Sequence, residues 1–101
     1  MKMWAPIAAA FALVSTAALA QGDIEYGQYL SSECVTCHQA KQSDAQIPII
    51  HGMDAGTLAD IMKLYRSGEM ENAAMRTVAK RLTDEDIAAL AAYFASLPEP
   101  E

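Results

Sequence analysis

The sequence is poor in several residue types that stabilise or functionalise small proteins. Its 101 residues include two cysteines, two histidines and one tryptophan, and seven basic residues stand against thirteen acidic ones. Two cysteines allow one disulfide at most, which excludes a disulfide-dense scaffold. The formal net charge of −6 disfavours nucleic-acid binding, because phosphate contacts require clustered lysine and arginine.

The first twenty residues differ in composition from the remainder. Sixteen of them are hydrophobic, and Met1-Lys2 gives a positively charged start that is followed by an apolar run from Ile7 to Val14. The segment closes on Ala18-Leu19-Ala20, a small-x-small pattern that signal peptidase cleaves. We predict a secretory signal peptide over residues 1–20, cleaved after Ala20, and one mature domain over residues 21–101. A retained membrane anchor is the alternative, which the short, alanine-rich run disfavours.

The mature segment has few large apolar side chains. It contains 23 residues of the Val, Ile, Leu, Met, Phe and Tyr types among 81, and the only tryptophan, Trp4, lies in the predicted signal peptide. Chains of this length usually need disulfides, a metal or a large cofactor to bury enough surface. A bound group is therefore expected to complete the core.

Capping residues and apolar periodicity predict three helices. They run from Ile24 to Cys34 behind the cap Asp23, from Asp54 to a stop at Gly68, and from the cap Thr83 to Pro98. Residues 47–52 read as an extended segment that turns at its glycine, and residues 69–82 as a loop with a helical turn near Met75 to Lys80. No segment alternates convincingly with period two, so the predicted fold class is all-α.

The stretch with the most specific chemistry is Cys34-Val35-Thr36-Cys37-His38. In an exported protein, C-x-x-C-H is the attachment signal for c-type haem. Two cysteines three residues apart on a tight turn can each form a thioether with one vinyl group of the porphyrin, and His38 then lies beneath the iron as the proximal ligand. A thioredoxin-type redox pair would need a βαβ pattern, and a structural zinc site would need a second ligand pair. The sequence shows neither.

A six-coordinate haem iron needs a second axial ligand. The candidates are His51, Met53, Met62, Met70 and Met75. Met62 lies on the apolar face of a helix, where a core methionine is the simpler interpretation. His51 and Met53 would have to cross to the opposite haem face within a short loop. Met70 and Met75 both precede the last helix, and the residue types alone leave the choice between them open.

Three motifs in order resemble the small class I cytochromes c of the bacterial periplasm. They are Cys34-Val35-Thr36-Cys37-His38, Ile47-Pro48-x-x-x-Gly52, and the run from Met75 through Ala79 and Leu82-Thr83-Asp84-Glu85-Asp86 to Tyr93. The resemblance implies helices wrapped around one covalently bound haem c, with Met75 as the distal ligand. It also implies that the Pro48 carbonyl accepts the Nδ1 proton of His38, which orients the ligand. Gly27 and Tyr93 match the positions where the first and last helices cross.

The resemblance implies an electron carrier, not an enzyme. Its redox donor and acceptor proteins would meet it in the periplasm, without stable membrane insertion after signal cleavage. The alternative is the cytochrome subunit of a larger oxidoreductase, such as flavocytochrome c sulfide dehydrogenase, with a flavoprotein partner. A gas sensor or peroxidase-like protein is a third class and requires an open distal position.

Half of the mature chain's basic residues follow the proposed distal ligand, at Arg76, Lys80 and Arg81. If they border the haem edge, they form a small basic rim for docking an acidic partner. Solubility and neutralisation of the haem propionates are the alternative roles.

Overall fold

The computed structural model describes residues 22–40 and 47–100, so the predicted signal peptide lies outside the described residues. Its elements are α1 (Ile24–Leu30), a 3₁₀ turn (Ser31–Glu33), α2 (Ala55–Ser67), α3 (Ala73–Lys80) and α4 (Asp84–Ser96). The structure confirms the predicted all-α class. Within the two described ranges, no helix is both long and apolar enough to cross a membrane.

The helix starts are where the capping residues predict them. The Asp23 carboxylate accepts hydrogen bonds from the backbone amides of Glu25 and Tyr26, and Asp54 accepts one from the amide of Thr57. These side chains satisfy amides that have no partner within the first turn of a helix. At the other end of α2, Gly68 has a φ of 90°, a left-handed conformation that glycine adopts without steric cost.

Helix α4 begins with a complete capping box. The Thr83 hydroxyl accepts a hydrogen bond from the Asp86 amide, and the Asp86 carboxylate accepts one from the Thr83 amide, both at 3.0 Å. The other oxygen of Asp86 accepts a hydrogen bond from the Tyr26 hydroxyl at 2.7 Å. The cap of α4 is thus also a tie to α1.

Helices α1 and α4 pack against each other more extensively than any other pair of described helices. At their crossing, a Cβ on Gly27 would collide with the backbone carbonyl of Ala89 and lie 2.8 Å from the Cβ of Tyr93. The absence of a side chain at Gly27 lets the two backbones approach this closely. The crossing that the family resemblance implies is therefore present, with Ala89 and Tyr93 as its partners.

The core lies between α2, α3 and α4. Phe94 and Ile87 are the largest fully buried side chains. The other buried members of the cluster are Ile50, Leu58, Met62, Ala79, Leu90 and Ala91. Cys34 and Met75 are partly buried and pack against this cluster, so the residues predicted to hold a haem border the core.

Two element boundaries differ from the sequence-based expectation. The first helix ends at Leu30, because the Ser31 hydroxyl donates to the carbonyl of Gln28 and offers the backbone an alternative to helix. The helical turn expected near Met75 to Lys80, within the loop over residues 69–82, is part of a longer helix, α3, which begins at Ala73. Its start is fixed by Asn72, whose side chain accepts a hydrogen bond from the Met75 amide at 3.0 Å.

Candidate haem site

The Cys34-to-His38 motif follows directly on the 3₁₀ turn and continues its tight winding. The amide of Cys34 donates to the Ser31 carbonyl at 2.8 Å, and the amides of Cys37 and His38 both donate to the Cys34 carbonyl. Neither cysteine is in a disulfide. The two thiols therefore lie on one short turn, as double attachment to a porphyrin requires.

His38 is oriented by the extended segment that follows. Its Nδ1 lies 2.7 Å from the backbone carbonyl oxygen of Pro48. A carbonyl oxygen only accepts hydrogen bonds, so Nδ1 carries the proton in this contact. The lone pair of the imidazole is then on Nε2, which is the form needed by a histidine that binds a metal through Nε2.

Cys34 is half-buried, and burial raises the pKa of its thiol to about 11. The neighbouring Glu33 and Cys37 raise this pKa further. Redox-active cysteines of the thioredoxin type have lowered pKa values, because the thiolate is the nucleophile. The environment of Cys34 therefore disfavours a dithiol redox centre and fits a thiol that is consumed in a thioether.

Met75 is in the first turn of α3, where its amide is fixed by Asn72 and its side chain packs against the core. Met62 is buried in α2, as expected for a core residue. Met53 also packs against the core, and Met70 lies just after the C-terminal cap of α2. Only Met75 and Met62 of these four methionines are within helices.

His51 faces the core from the turn after the extended segment. Its ring centroid lies 5.7 Å from that of Phe94, and its Nε2 is buried without a hydrogen-bond partner among the described residues. The residue as a whole is half-buried, and its ring is tilted by 39° relative to that of Phe94.

The three basic residues after Met75 have different surroundings. The Arg81 guanidinium forms a salt bridge with Glu33 at 3.2 Å. The Arg76 guanidinium lies over Gly68, at the C-terminal end of α2, where the helix dipole favours a cation. Lys80 is exposed at the end of α3.

Two contributors to this region were missed by sequence reasoning. Asn72 had a readable signal, because an asparagine before Ala73-Ala74 is a typical helix start. Arg66 had none: it donates to the Leu82 carbonyl and to Asp84, which are 16 and 18 residues away. Contacts at that separation depend on the packing of helices and leave no local pattern.

The two thiols of the Cys34-to-His38 turn, the oriented histidine and the partly buried Met75 are side chains of the types that hold a covalently bound haem. Residues 17–94 match a family model described as cytochrome c oxidase, cbb3-type, subunit III. The chain belongs to the cytochrome c family. This match spans most of the chain and includes every residue of the proposed site.

Curated relatives of this cytochrome are themselves cytochromes. Cytochrome c-554(548) of Halomonas halodenitrificans is 41% identical over 80 residues, which cover 74% of this chain and 96% of that relative. Cytochrome c-553 of Helicobacter pylori strain 26695 is 32% identical over 71 residues, covering 67% of this chain and 74% of the relative. Both relatives are named as cytochromes c and not as enzymes.

Two further matches are with longer proteins. The thiosulfate dehydrogenase electron acceptor of Stutzerimonas stutzeri is 35% identical over 71 residues, covering 67% of this chain and 33% of that protein. The solved structure of thiosulfate dehydrogenase TsdBA from Marichromatium purpuratum matches with a TM-score of 0.69 and 27% identity, covering 76% of this chain and 19% of that one. This cytochrome thus spans a third of one relative and a fifth of the other.

Proposed function

We propose that this cytochrome is exported to the periplasm and carries single electrons on one covalently bound haem c. Cys34 and Cys37 tether the porphyrin, and His38 and Met75 bind the iron from opposite faces. When bound, the haem supplies the redox couple, Fe(III)/Fe(II). The observation that carries the proposal is the His38–Pro48 hydrogen bond, which holds the imidazole of a C-x-x-C-H motif in the tautomer that a proximal ligand needs.

The roles of the protein side chains follow from their chemistry. The thioether sulfur of Met75 is a soft donor that favours the reduced iron and raises the reduction potential. The hydrogen bond to Pro48 increases the donor strength of His38 and fixes its ring. With His38 and Met75 both holding the iron, no site would remain for a substrate, so the protein would exchange electrons without making or breaking substrate bonds.

The partners of this cytochrome are proposed from its relatives. One relative is named as the electron acceptor of thiosulfate dehydrogenase, and a solved thiosulfate dehydrogenase contains a region of the same fold. We therefore propose a sulfur-oxidising enzyme of this kind as the electron donor. The exposed Lys80 and its neighbours Arg76 and Arg81 would form the rim that meets an acidic partner.

The alternative is a permanent subunit of a larger oxidoreductase. The matching family model is named for an oxidase subunit, and two relatives are much longer than this chain. The flavoprotein partner of a flavocytochrome stays a prediction. A subunit would co-purify with its partner at constant stoichiometry, whereas a free carrier would elute alone.

The proposal is tested with the protein expressed alongside a c-type haem maturation system. We expect the intact mass to correspond to a chain that begins at Gln21 and carries one covalently attached haem. A reductive titration should consume one electron per chain, and the ferrous form should bind carbon monoxide slowly at neutral pH because Met75 fills the distal position. Rapid binding would instead favour a gas sensor or a peroxidase-like protein, and a second attached haem or a retained N-terminus would contradict the proposal.

A further inference from the structure

Arg66 connects two parts of the chain that lie on either side of Met75. It belongs to the last turn of α2, and its Nη1 donates to the backbone carbonyl of Leu82 at 3.1 Å. Its Nη2 donates to the Asp84 carboxylate at 2.6 Å. One guanidinium therefore binds both the connector between α3 and α4 and the first residue of α4.

The hydrogen bond between Arg66 and Leu82 joins the two ends of the chain segment that lies between them, residues 67–81. Residues 67–81 leave α2, form α3 with Met75 in its first turn, and return to the start of α4. The exit from α2 is fixed separately, because the amides of Gly68, Glu69 and Met70 all donate to the Leu64 carbonyl. Where the segment reaches α4, the Arg66 side chain holds it in place through Leu82 and Asp84.

Helix α3 depends on such external ties. It has eight residues, and helices this short are marginal when isolated. The amides of Arg81 and Leu82 donate to the carbonyls of Val78 and Ala79, so the connector continues the winding of the helix. A contact that fixes the position of Leu82 therefore also restrains α3, which contains Met75.

A second arginine tie holds α3 less firmly. The Arg81–Glu33 salt bridge measures 3.2 Å, and its side chains are 59% and 53% exposed. Exposed pairs of this kind contribute little. Asp84, the acidic partner of Arg66, is itself 75% exposed, but the Arg66 side chain is only 30% exposed and also donates to the backbone carbonyl of the half-buried Leu82. Arg66 is therefore the stronger of the two ties.

We propose that Arg66 is a positioning residue for Met75. By binding the connector, Arg66 keeps residues 67–81 closed, and this closure keeps the Met75 thioether in the distal position against competing ligands. The inference rests on the proposed function, in which Met75 is the distal ligand.

Imidazole binding to the ferric holoprotein measures this closure, since imidazole must displace the distal ligand. The titration is run at about pH 8.5, well above the ordinary imidazole pKa, where the probe is neutral and loss of a positive charge does not by itself change its attraction to the protein. We expect Arg66→Gln to raise the imidazole affinity about tenfold, the factor that corresponds to one lost hydrogen bond to a charged donor. Lys63→Gln is the matched control: Lys63 is also on α2 and its charge also lowers the pKa of Asp84, but it does not bind Leu82 within the described residues. Its imidazole affinity should stay at the unmodified value.

Two further variants separate positioning from a purely structural role. Arg66→Lys should raise the imidazole affinity less than Arg66→Gln does. Asp84→Asn, which spares the Leu82 contact, should give an imidazole affinity between those of Arg66→Gln and Lys63→Gln. If Arg66→Gln lowers the urea midpoint of global unfolding but binds imidazole like Lys63→Gln, the proposal is overturned. If Arg66→Gln does not fold, Arg66→Lys decides, because a single ammonium group does not reproduce the two-pronged contact of the guanidinium with Leu82 and Asp84, and an imidazole affinity equal to that of Lys63→Gln overturns the proposal.

Failure of the ligand assignment has a different signature. If the unmodified protein already binds imidazole as tightly as Met75→Ala, then Met75 does not hold the distal position and both proposals fall. If Met75→Ala binds more tightly than the unmodified protein while Arg66→Gln does not, only the role of Arg66 is refuted.

Discussion

Gly27 lies where α1 crosses α4, and its lack of a side chain sets the distance between the two backbones. The atom that a Cβ would meet is the carbonyl oxygen of Ala89, which is fixed in the middle of α4. Backbone in the middle of a helix cannot yield as the end of a flexible side chain can. The crossing therefore tolerates no larger residue at this position.

We expect Gly27→Ala to destabilise the holoprotein by about 2 kcal/mol or more, because α1 must move away from α4. Urea unfolding followed by circular dichroism measures this loss. Gly56→Ala is the matched control: Gly56 is exposed in the first turn of α2, and a Cβ there would meet only the Asp54 carboxylate, at 3.3 Å. Equal unfolding free energies for the two variants would show that the crossing is not the tight contact described here.

The chemistry of the site residues was largely readable from the sequence, because it depends on short spacings. The two cysteines and His38 are contiguous, and the Pro48 carbonyl that accepts from His38 is only ten residues away. The contact of the His51 ring with Phe94 was not readable. It arises from contact with a residue 43 positions later, in another helix.

The start of α4 joins two helices through one carboxylate. Asp86 accepts hydrogen bonds from the Thr83 amide and from the Tyr26 hydroxyl of α1. The Thr83 amide is the larger cause, and the Tyr26 hydroxyl the next, of a pKa for Asp86 below the usual aspartate value. Both bonds are stronger to the ionised carboxylate than to the protonated one, so the cap and the tie to α1 weaken together when Asp86 is protonated.

This coupling predicts a pH dependence of stability. Because the pKa of Asp86 is lower in the folded than in the unfolded protein, its contribution is fully present above the unfolded value, about pH 4, and is lost as pH falls through the folded value. We expect Asp86→Asn to flatten the decline in unfolding free energy between about pH 5 and pH 2. Urea titrations at several pH values provide the measurement. Asp60→Asn, at an exposed position of α2, is the control, and a decline as steep in Asp86→Asn as in Asp60→Asn would refute the coupling.

The helices differ in how far the sequence predicted them. Capping residues act on amides two or three positions away, so the starts of α1, α2 and α4 follow from local sequence. The sequence predicts α3 only as a helical turn near Met75 to Lys80, because eight residues are too few for a clear apolar period. Helix α3 is stabilised by the Asn72 cap, by the burial of Ala79 and by the hydrogen bonds of Arg66. The last two depend on the assembled fold.

The molecule as a whole is consistent with a fold completed by its cofactor. Its described core contains only two large, fully buried side chains, Phe94 and Ile87, and several of its buried members are alanines. The side chains proposed to hold the haem, Cys34 and Met75, pack at the edge of this core. A bound porphyrin would supply the apolar surface that the sequence lacks, as the small stock of large residues predicts.

The relatives place the same fold in two settings. It makes up nearly the whole of a small cytochrome in Halomonas halodenitrificans and a fifth of the matched thiosulfate dehydrogenase chain. The fold therefore carries the haem chemistry, whereas the partner is set by the surface and by any attached domains. The identity of the distal ligand is part of the haem chemistry, so it can be tested without knowing the partner.

The central claim is that His38 and Met75 together bind the iron, and the most direct test is the near-infrared absorption of the ferric holoprotein. A weak band in this region reports a bond between methionine sulfur and ferric iron. We expect the band in the unmodified protein and in Met70→Ala, and we expect its loss in Met75→Ala. A covalent haem that lacks the band in the unmodified protein, or a band that survives in Met75→Ala, would contradict the assignment of Met75 as the distal ligand.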